Sequence, residues 1–255
     1  MRAIPTWFWV TWAGIFGLML GSFFTALAHR WPREESMVAP RSHCTNCNHT
    51  LSWFELVPVF SWVALRGRCR SCKTAVSVRY PLTELATGAL AALAIATVGA
   101  NLRGAAAAVM LVALVPVVII DLEHKLIPDV IVFPATAAAL TLAVLSHPGR
   151  WWVPVVSALG ASAFLLALHL AKPGGMGLGD AKLALLLGAV LGAGVIPAFA
   201  VAFLTGALLG VVMMVRGGAA ARKMAIPFGP FLAAGAFFAL WWGAPVISWY
   251  RDSFL

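Results

Sequence analysis

The chain has 255 residues, of which 62% are apolar and 11% charged, and its mean hydropathy is +0.92. That balance excludes an ordinary soluble domain and marks a polytopic membrane protein. A net charge of +9 (18 Lys and Arg against 9 Asp and Glu) is of the sign that nucleic acid attracts, but the basic residues alternate with apolar runs, so the charge reads as a topological signal and no nucleic-acid partner is expected.

Apolar runs at 7–28, 82–100, 105–120, 129–146, 151–171, 181–195, 197–215 and 227–248 predict eight transmembrane segments, the third and sixth short. About 20 residues cross a hydrocarbon layer of about 30 Å. Lipid cannot satisfy an open strand, so these segments are expected to be helices, and the fold class is all-α. The first run is longer than a signal-peptide core and is followed by Arg30 and Arg33, so it reads as a retained anchor. Small residues recur along several runs, with Gly206 and Gly210 forming a small-xxx-small pair. Trp7, Trp9, Trp12, Trp151, Trp152, Trp241, Trp242 and Trp249 fall near one set of run ends, as an interfacial belt would.

Sorted onto alternating sides of these runs, the 18 basic residues divide 14 against 4, with Arg2, Arg103, Arg150 and Arg251 on the poorer side. The positive-inside rule places the richer side in the cytoplasm, where it can also meet anionic lipid, and both termini outside it. The expected location is the bacterial inner (cytoplasmic) membrane, with the bilayer itself as a partner. The expected division is 1–29 as first anchor, 30–81 as a cytoplasmic zinc-binding domain between helices 1 and 2, and 82–255 as the main transmembrane domain.

All four cysteines lie in that cytoplasmic segment, as "CTNC" (Cys44, Cys47) and "CRSC" (Cys69, Cys72), separated by 21 residues. Paired C-x2-C knuckles in a reducing compartment point to a tetrahedral four-thiolate zinc site rather than disulfides. His43 and His49 then read as loop histidines, since four thiolates complete the metal's shell. A segment this short and polar builds little core, so zinc is expected to supply its fold.

Five of the nine acids, Glu84, Asp121, Glu123, Asp129 and Asp180, fall at or near the cytoplasmic ends of predicted spans. Ionisable groups there are functional candidates. Asp121 ends the third run and Asp180 precedes the sixth, in "KPGGMGLGDAKL". Two carboxylates brought together on one membrane face can share a proton, one activating water while the other polarises a peptide carbonyl. Simpler roles exist beside this. Asp180 suits an N-cap and Asp129, after Pro128, suits one better. Lys182 either steadies Asp180 or, as favoured here, snorkels. His169 reads as a hydrogen-bonded interior residue, and Glu123, His124 and Lys125 as a solvated turn. Gly174, Gly175, Gly177 and Gly179 would let a peptide backbone approach closely.

The Gly177-Leu178-Gly179-Asp180 motif, together with "IIDLEHKLIPD", resembles the bacterial type IV prepilin peptidases, which belong to the GxGD aspartyl proteases. "GSFFTALAHRWP", "LRGRCRSC", "RYPLTELATG" and "IPFGPFLAAGA" extend the resemblance over most of the chain. It implies that Asp121 and Asp180 are the catalytic pair, with Gly177, Gly179, Lys182 and Asp129 as supporting or substrate-binding positions. It further implies cleavage, on the cytoplasmic side, of the basic leader of prepilins and pseudopilins, after a Gly and before the Phe that opens the apolar helix. Many members also methylate the new N-terminus with S-adenosylmethionine, an activity tied to the four-cysteine domain. Here Thr25 replaces the family's usual Asn, Leu56 replaces an Asn before Val57-Pro58, and no Rossmann fingerprint marks a methyl-donor site. A peptidase without methylation is therefore the alternative. Presenilin-like proteases pair GxGD with Tyr-Asp and a late Pro-Ala-Leu, whereas Ile120 precedes Asp121 and the late motif is "PFGP". A proton-coupled transporter would hold its acids near mid-membrane rather than at one face, and a zinc-bearing scaffold would use neither aspartate.

Overall fold

Each of the eight apolar runs becomes a helix in the computed structural model, which describes residues 4–31, 36, 41–172, 175–221 and 226–254. Arg2, Arg33, Glu34, Glu35, Gly174, Arg222 and Lys223 lie outside the described residues. The helices are α1 (Thr6–Arg30), α2 (Phe60–Ala64, a short turn in the cysteine segment), α3 (Arg79–Val98), α4 (Leu102–His124), α5 (Asp129–Leu145), α6 (Trp152–Ala171), α7 (Leu178–Leu191), α8 (Val195–Ala221) and α9 (Gly229–Phe254). Six stretches are long and apolar enough to cross a membrane, one of them a 40-residue run containing both α7 and α8. Gly192, with φ of 57°, breaks that run, because a left-handed residue ends the helix most easily as glycine. α5 and α7 have only 17 and 14 residues, lengths of about 25 and 21 Å. They are shorter than a full hydrocarbon crossing.

The chain divides into two compact units, Met1–Gly104 and Ala105–Leu255. In the first, α1 packs on α3 through glycines: a methyl group on Gly17 would lie 2.9 Å from Ala91 Cβ and from Gly88 Cα, and one on Gly21 would lie 2.7 Å from Glu84 Cα. Backbones can approach this closely only without side chains between them. Thr25, at the position where the family often has Asn, bonds back to the Gly21 carbonyl at 2.8 Å. The cysteine segment is almost coreless, since among residues 41–78 only Glu55, Gly67 and Cys69 are buried. Its last link to α3 is polar: buried Glu84 accepts the Val59 N–H at 2.7 Å and bonds Ser22.

In the second unit, α6 and α7 meet where a side chain on Gly188 would strike Ser157 and Ala158. α8 and α9 run antiparallel, with Gly235 against Ala198, and a methyl group on Gly243 would lie 3.4 Å from Gly194 Cα. Gly206 packs against Phe228 and Phe231, whereas among the described residues nothing lies within 4 Å of a methyl group added at Gly210. Met110, Leu111, Val117 and Ile120 of α4, Val132 of α5, Leu165 of α6, Leu183, Leu186 and Leu187 of α7 and Leu232 of α9 are fully buried. α4 continues one turn past Asp121 and closes at Lys125, whose N–H bonds the Asp121 carbonyl at 2.9 Å. Glu123 and His124 are therefore the exposed last turn of a helix rather than a loop, and only Lys125, at φ of 55°, has left-handed loop geometry.

Candidate active site

Asp121 lies on the last turns of α4 and Asp180 in the first turn of α7, and both are buried. No hydrogen bond joins them among the described residues. Each accepts a single backbone N–H. Gly177, just before α7, donates to Asp180 Oδ2 at 3.0 Å, and Gly229, the first residue of α9, donates to Asp121 Oδ2 at 2.8 Å. Both carboxylates thus satisfy donors that a helix start leaves unpaired. Among the described residues, no hydrogen bond reaches Oδ1 of either.

Gly229 is the site residue that sequence reasoning missed. "IPFGP" carries a turn signal before an apolar run, which announces a helix start, but nothing local says that its N–H reaches a residue 108 positions away. Close fit explains the glycine, since a Cβ there would stand 2.7 Å from Asp121 Oδ2. The two motif glycines of α7 are explained separately. A Cβ on Gly177 would press on Asp180 Oδ2 at 3.2 Å, and one on Gly179 would meet Ile127 Cβ at 2.8 Å. Gly179 therefore seats the start of α7 on the loop between α4 and α5.

Lys182 bonds Asp129 rather than Asp180. Its ammonium bonds both oxygens of Asp129 at 2.8 Å and lies 5.7 Å from the centre of the Phe133 ring. Asp129 in turn makes no capping bond. Pro128 takes the N-cap position of α5, and the Asp129 carboxylate points across to α7. A helix one turn away offers it a full charge, which outcompetes the local N–H groups it was expected to cap. The pair ties the starts of α5 and α7 together, beside Asp180. His169 behaves as expected, bonding the Met176 carbonyl at 2.7 Å and so tethering the loop into α7.

The four cysteines form a second centre, in the first unit. Their sulfurs all lie within 4.8 Å of one another, with Cys44 and Cys72 at 3.7 Å and Cys47 and Cys69 at 3.9 Å. A tetrahedral metal with bonds of about 2.3 Å to sulfur requires sulfurs about 3.8 Å apart, so the set can hold a metal ion. The knuckles repeat one backbone pattern. Cys44 N–H bonds the His49 carbonyl and Cys69 N–H the Thr74 carbonyl, while Asn48 and Lys73 both turn with positive φ. Thr74 and Asn46 hydrogen bonds draw the Cys72 thiol down to about 5, and the backbone of Cys47 and Asn46 also lowers Cys44. The His49 N–H pulls Cys47 down, but burial and the crowded sulfurs outweigh it and push that thiol up to about 11. His43 bonds the Arg41 carbonyl and His49 bonds Glu55, so neither joins the sulfur cluster.

Two family models match this chain: the bacterial peptidase A24 N-terminal domain over residues 15–98 and the type IV leader peptidase family over residues 106–212. A prepilin leader peptidase/N-methyltransferase of Burkholderia pseudomallei is 35% identical over 274 aligned positions, covering 95% of this chain and 88% of that protein. Proteins of the same description from Bacillus subtilis (37%, covering 92% and 95%) and Aeromonas hydrophila (34%, covering 98% and 96%) are similarly related. The chain belongs to the type IV leader peptidase family. No solved structure matches it. Within this leader peptidase the cysteine cluster falls in the N-terminal family region, whereas Asp121, Asp129, Asp180 and Lys182 fall in the peptidase region.

Proposed function

We propose that Asp121 and Asp180 are the catalytic pair of a membrane aspartyl endopeptidase that removes the basic leader from prepilins and pseudopilins. The observation that carries this reading is two buried carboxylates at one end of the second unit, each pinned through Oδ2 by a backbone N–H with Oδ1 left over. One ionised carboxylate takes a proton from water, and the resulting hydroxide attacks the scissile carbonyl carbon. The protonated partner donates its proton to the carbonyl oxygen. Collapse of the tetrahedral intermediate breaks the C–N bond, and a proton passes to the departing amine. The fixed N–H donors stop either carboxylate from turning away, and orientation of this kind lowers the barrier before substrate arrives.

The 14-to-4 division of basic residues supports a cytoplasmic location for the aspartate end, termini on the opposite side, and residence in the bacterial cytoplasmic membrane. A prepilin fits this geometry, with its basic leader in the cytoplasm and its apolar helix in the bilayer. On this reading Gly177 and Gly179, beside Asp180, border the path of the extended backbone around the scissile bond. Zinc suits the four thiolates best, as a structural ion holding a segment with almost no core. Methylation of the new N-terminus, with S-adenosylmethionine as donor, is supported by the relatives' description as N-methyltransferases and by the cysteine segment that this chain carries.

The test is conversion of Asp121 or Asp180 singly to Asn, with prepilin cleavage followed in membranes. Both variants should fold and lose cleavage. Retained activity in either would remove the two-aspartate mechanism. Mass spectrometry of the cleaved pilin after incubation with S-adenosylmethionine should show a methylated N-terminus.

A further inference from the structure

α6 shows one side to α7, through Ser157 and Ala158. On another side it faces α8 across an apolar cavity of about 350 Å³, lined by Gly160, Ala161 and Phe164 of α6 and by Ile196, Phe199 and Phe203 of α8. Phe164 and Ile196 are exposed, so the cavity opens sideways. Its size lies within the range of binding clefts. Among the described residues Gly160 has no structural partner to explain it, since a methyl group there would meet nothing within 4 Å. Glycine inside a helix costs about 0.5–1 kcal/mol relative to alanine. Bare backbone on a membrane helix is what close approach by another helix uses.

A chain of ring contacts links the groove to the catalytic centre. Phe164 stacks on Phe199 at 5.8 Å, Phe199 meets Phe203 at 6.4 Å, and Phe203 meets Phe228 at 5.4 Å. Phe228 immediately precedes Gly229, whose N–H holds Asp121. The packing of α8 on α9 sets the direction. Gly206 lies beside Phe228 at the aspartate end, and Gly194 lies beside Gly243 at the other. From Phe203 to Ile196 the groove therefore leads away from the aspartates, over about 10 Å at 1.5 Å per residue. That is the length of about two helical turns.

We propose that this groove between α6 and α8 receives about two turns of the substrate's apolar helix, in the part that follows the scissile bond. The proposal rests on the leader-peptidase reading above. With the leader on the aspartate side, the remainder of the substrate must leave the catalytic level in the direction the groove takes. A helix laid there buries apolar side chains between Phe164 and Ile196 and brings its backbone against Gly160, the helix-in-groove mode of recognition.

Photo-crosslinking tests it. A benzophenone amino acid is placed at position 164 or, as a control, at Leu204, an exposed position on another side of α8. The background is Asp180→Asn, in bilayers of phosphatidylethanolamine and phosphatidylglycerol with a purified full-length prepilin. The adduct with prepilin should form about tenfold more at 164 than at 204. Equal yields, or adducts with lipid alone at 164, would overturn the proposal. In the otherwise unchanged enzyme, Gly160→Leu should raise KM for prepilin about tenfold without lowering the thermal transition, because the added Cβ meets nothing among the described residues and the helix loses a glycine. An unchanged KM would count equally against the groove. Cleavage retained by Asp121→Asn or Asp180→Asn would instead remove the catalytic reading while leaving the crosslinking result intact.

Discussion

Gly229→Ala isolates the contribution of a single contact to the catalytic pair. Gly229 is not among the positive-φ glycines, so alanine adds no backbone strain, and it keeps the N–H that Asp121 accepts. Its new Cβ, however, would stand 2.7 Å from Asp121 Oδ2 and 3.3 Å from Cγ. Moving the oxygen from 2.7 Å to the 3.4 Å of ordinary contact is a shift of about 0.7 Å, enough to spoil the 2.8 Å hydrogen bond from Gly229. A hydrogen bond to a charged group contributes about 1.5–3 kcal/mol, and a misplacement near 1 Å can cost roughly a hundredfold in rate. We therefore expect kcat on prepilin to fall by about 10- to 100-fold with KM little changed. The assay is initial-rate cleavage in reconstituted bilayers, with thermal unfolding monitored alongside. Gly210→Ala is the control, because nothing lies within 4 Å of its added methyl group. A Gly229→Ala enzyme with wild-type kcat would refute the claim that this N–H orients Asp121.

Three further predictions follow from other contacts. Asp129 and Lys182 are each more than a third exposed, so breaking the pair should cost only about 0.2–1 kcal/mol of stability. Yet Asp129→Ala and Lys182→Ala should each lower kcat several-fold by loosening the start of α7, and the exchanged pair Asp129→Lys with Lys182→Asp should recover part of it; single variants at wild-type kcat would show the tie to be ornamental. Elemental analysis should find one zinc per chain, and stripping it with a chelator should abolish amide protection across residues 41–78; protection that survives metal removal would contradict the coreless reading. Glu55 is caught between burial, which raises its carboxyl, and hydrogen bonds from Ser52 and His49, which together hold it below the ordinary value. A lowered native pKa contributes stability above the unfolded value of about 4.3 and loses it as pH falls through the native one. Hydrogen exchange at Ser52 N–H, which bonds Glu55 at 2.9 Å, should thus be faster in Glu55→Gln than in wild type near neutral pH. The gap should close only below the usual glutamate range, and a gap already absent at pH 7 would refute the role of the charge.

Glu55 and Glu84 show how partial the sequence reading was for buried acids. Both looked like acids of the cytoplasmic segment or a span end. In the structure Glu55 organises the turn between the knuckles, with Oε1 buried and unpartnered, and Glu84 receives the Val59 N–H from that same segment. Neither pairing follows a local rule, because each joins a side chain to a backbone group whose position depends on the surrounding fold. Lys182 failed for the same reason. Its helix neighbours suggested Asp180 or solvent, and the partner came from another helix 53 residues away.

What the sequence by itself determined is whatever depends on composition and short spacing. Apolar runs must bury or span, so all eight helices were legible, and C-x2-C pairs place two sulfurs together whatever surrounds them. The GxGD motif marked Asp180 because glycines beside an acid are visible locally. Only the tertiary structure decided how the acids are held. It set the starts of α7 and α9 against Asp180 and Asp121, spent Lys182 on Asp129, and left Gly160 bare beside a groove. These are contacts between helices, and helix-to-helix register is fixed by the packing of whole faces rather than by any short run of residues.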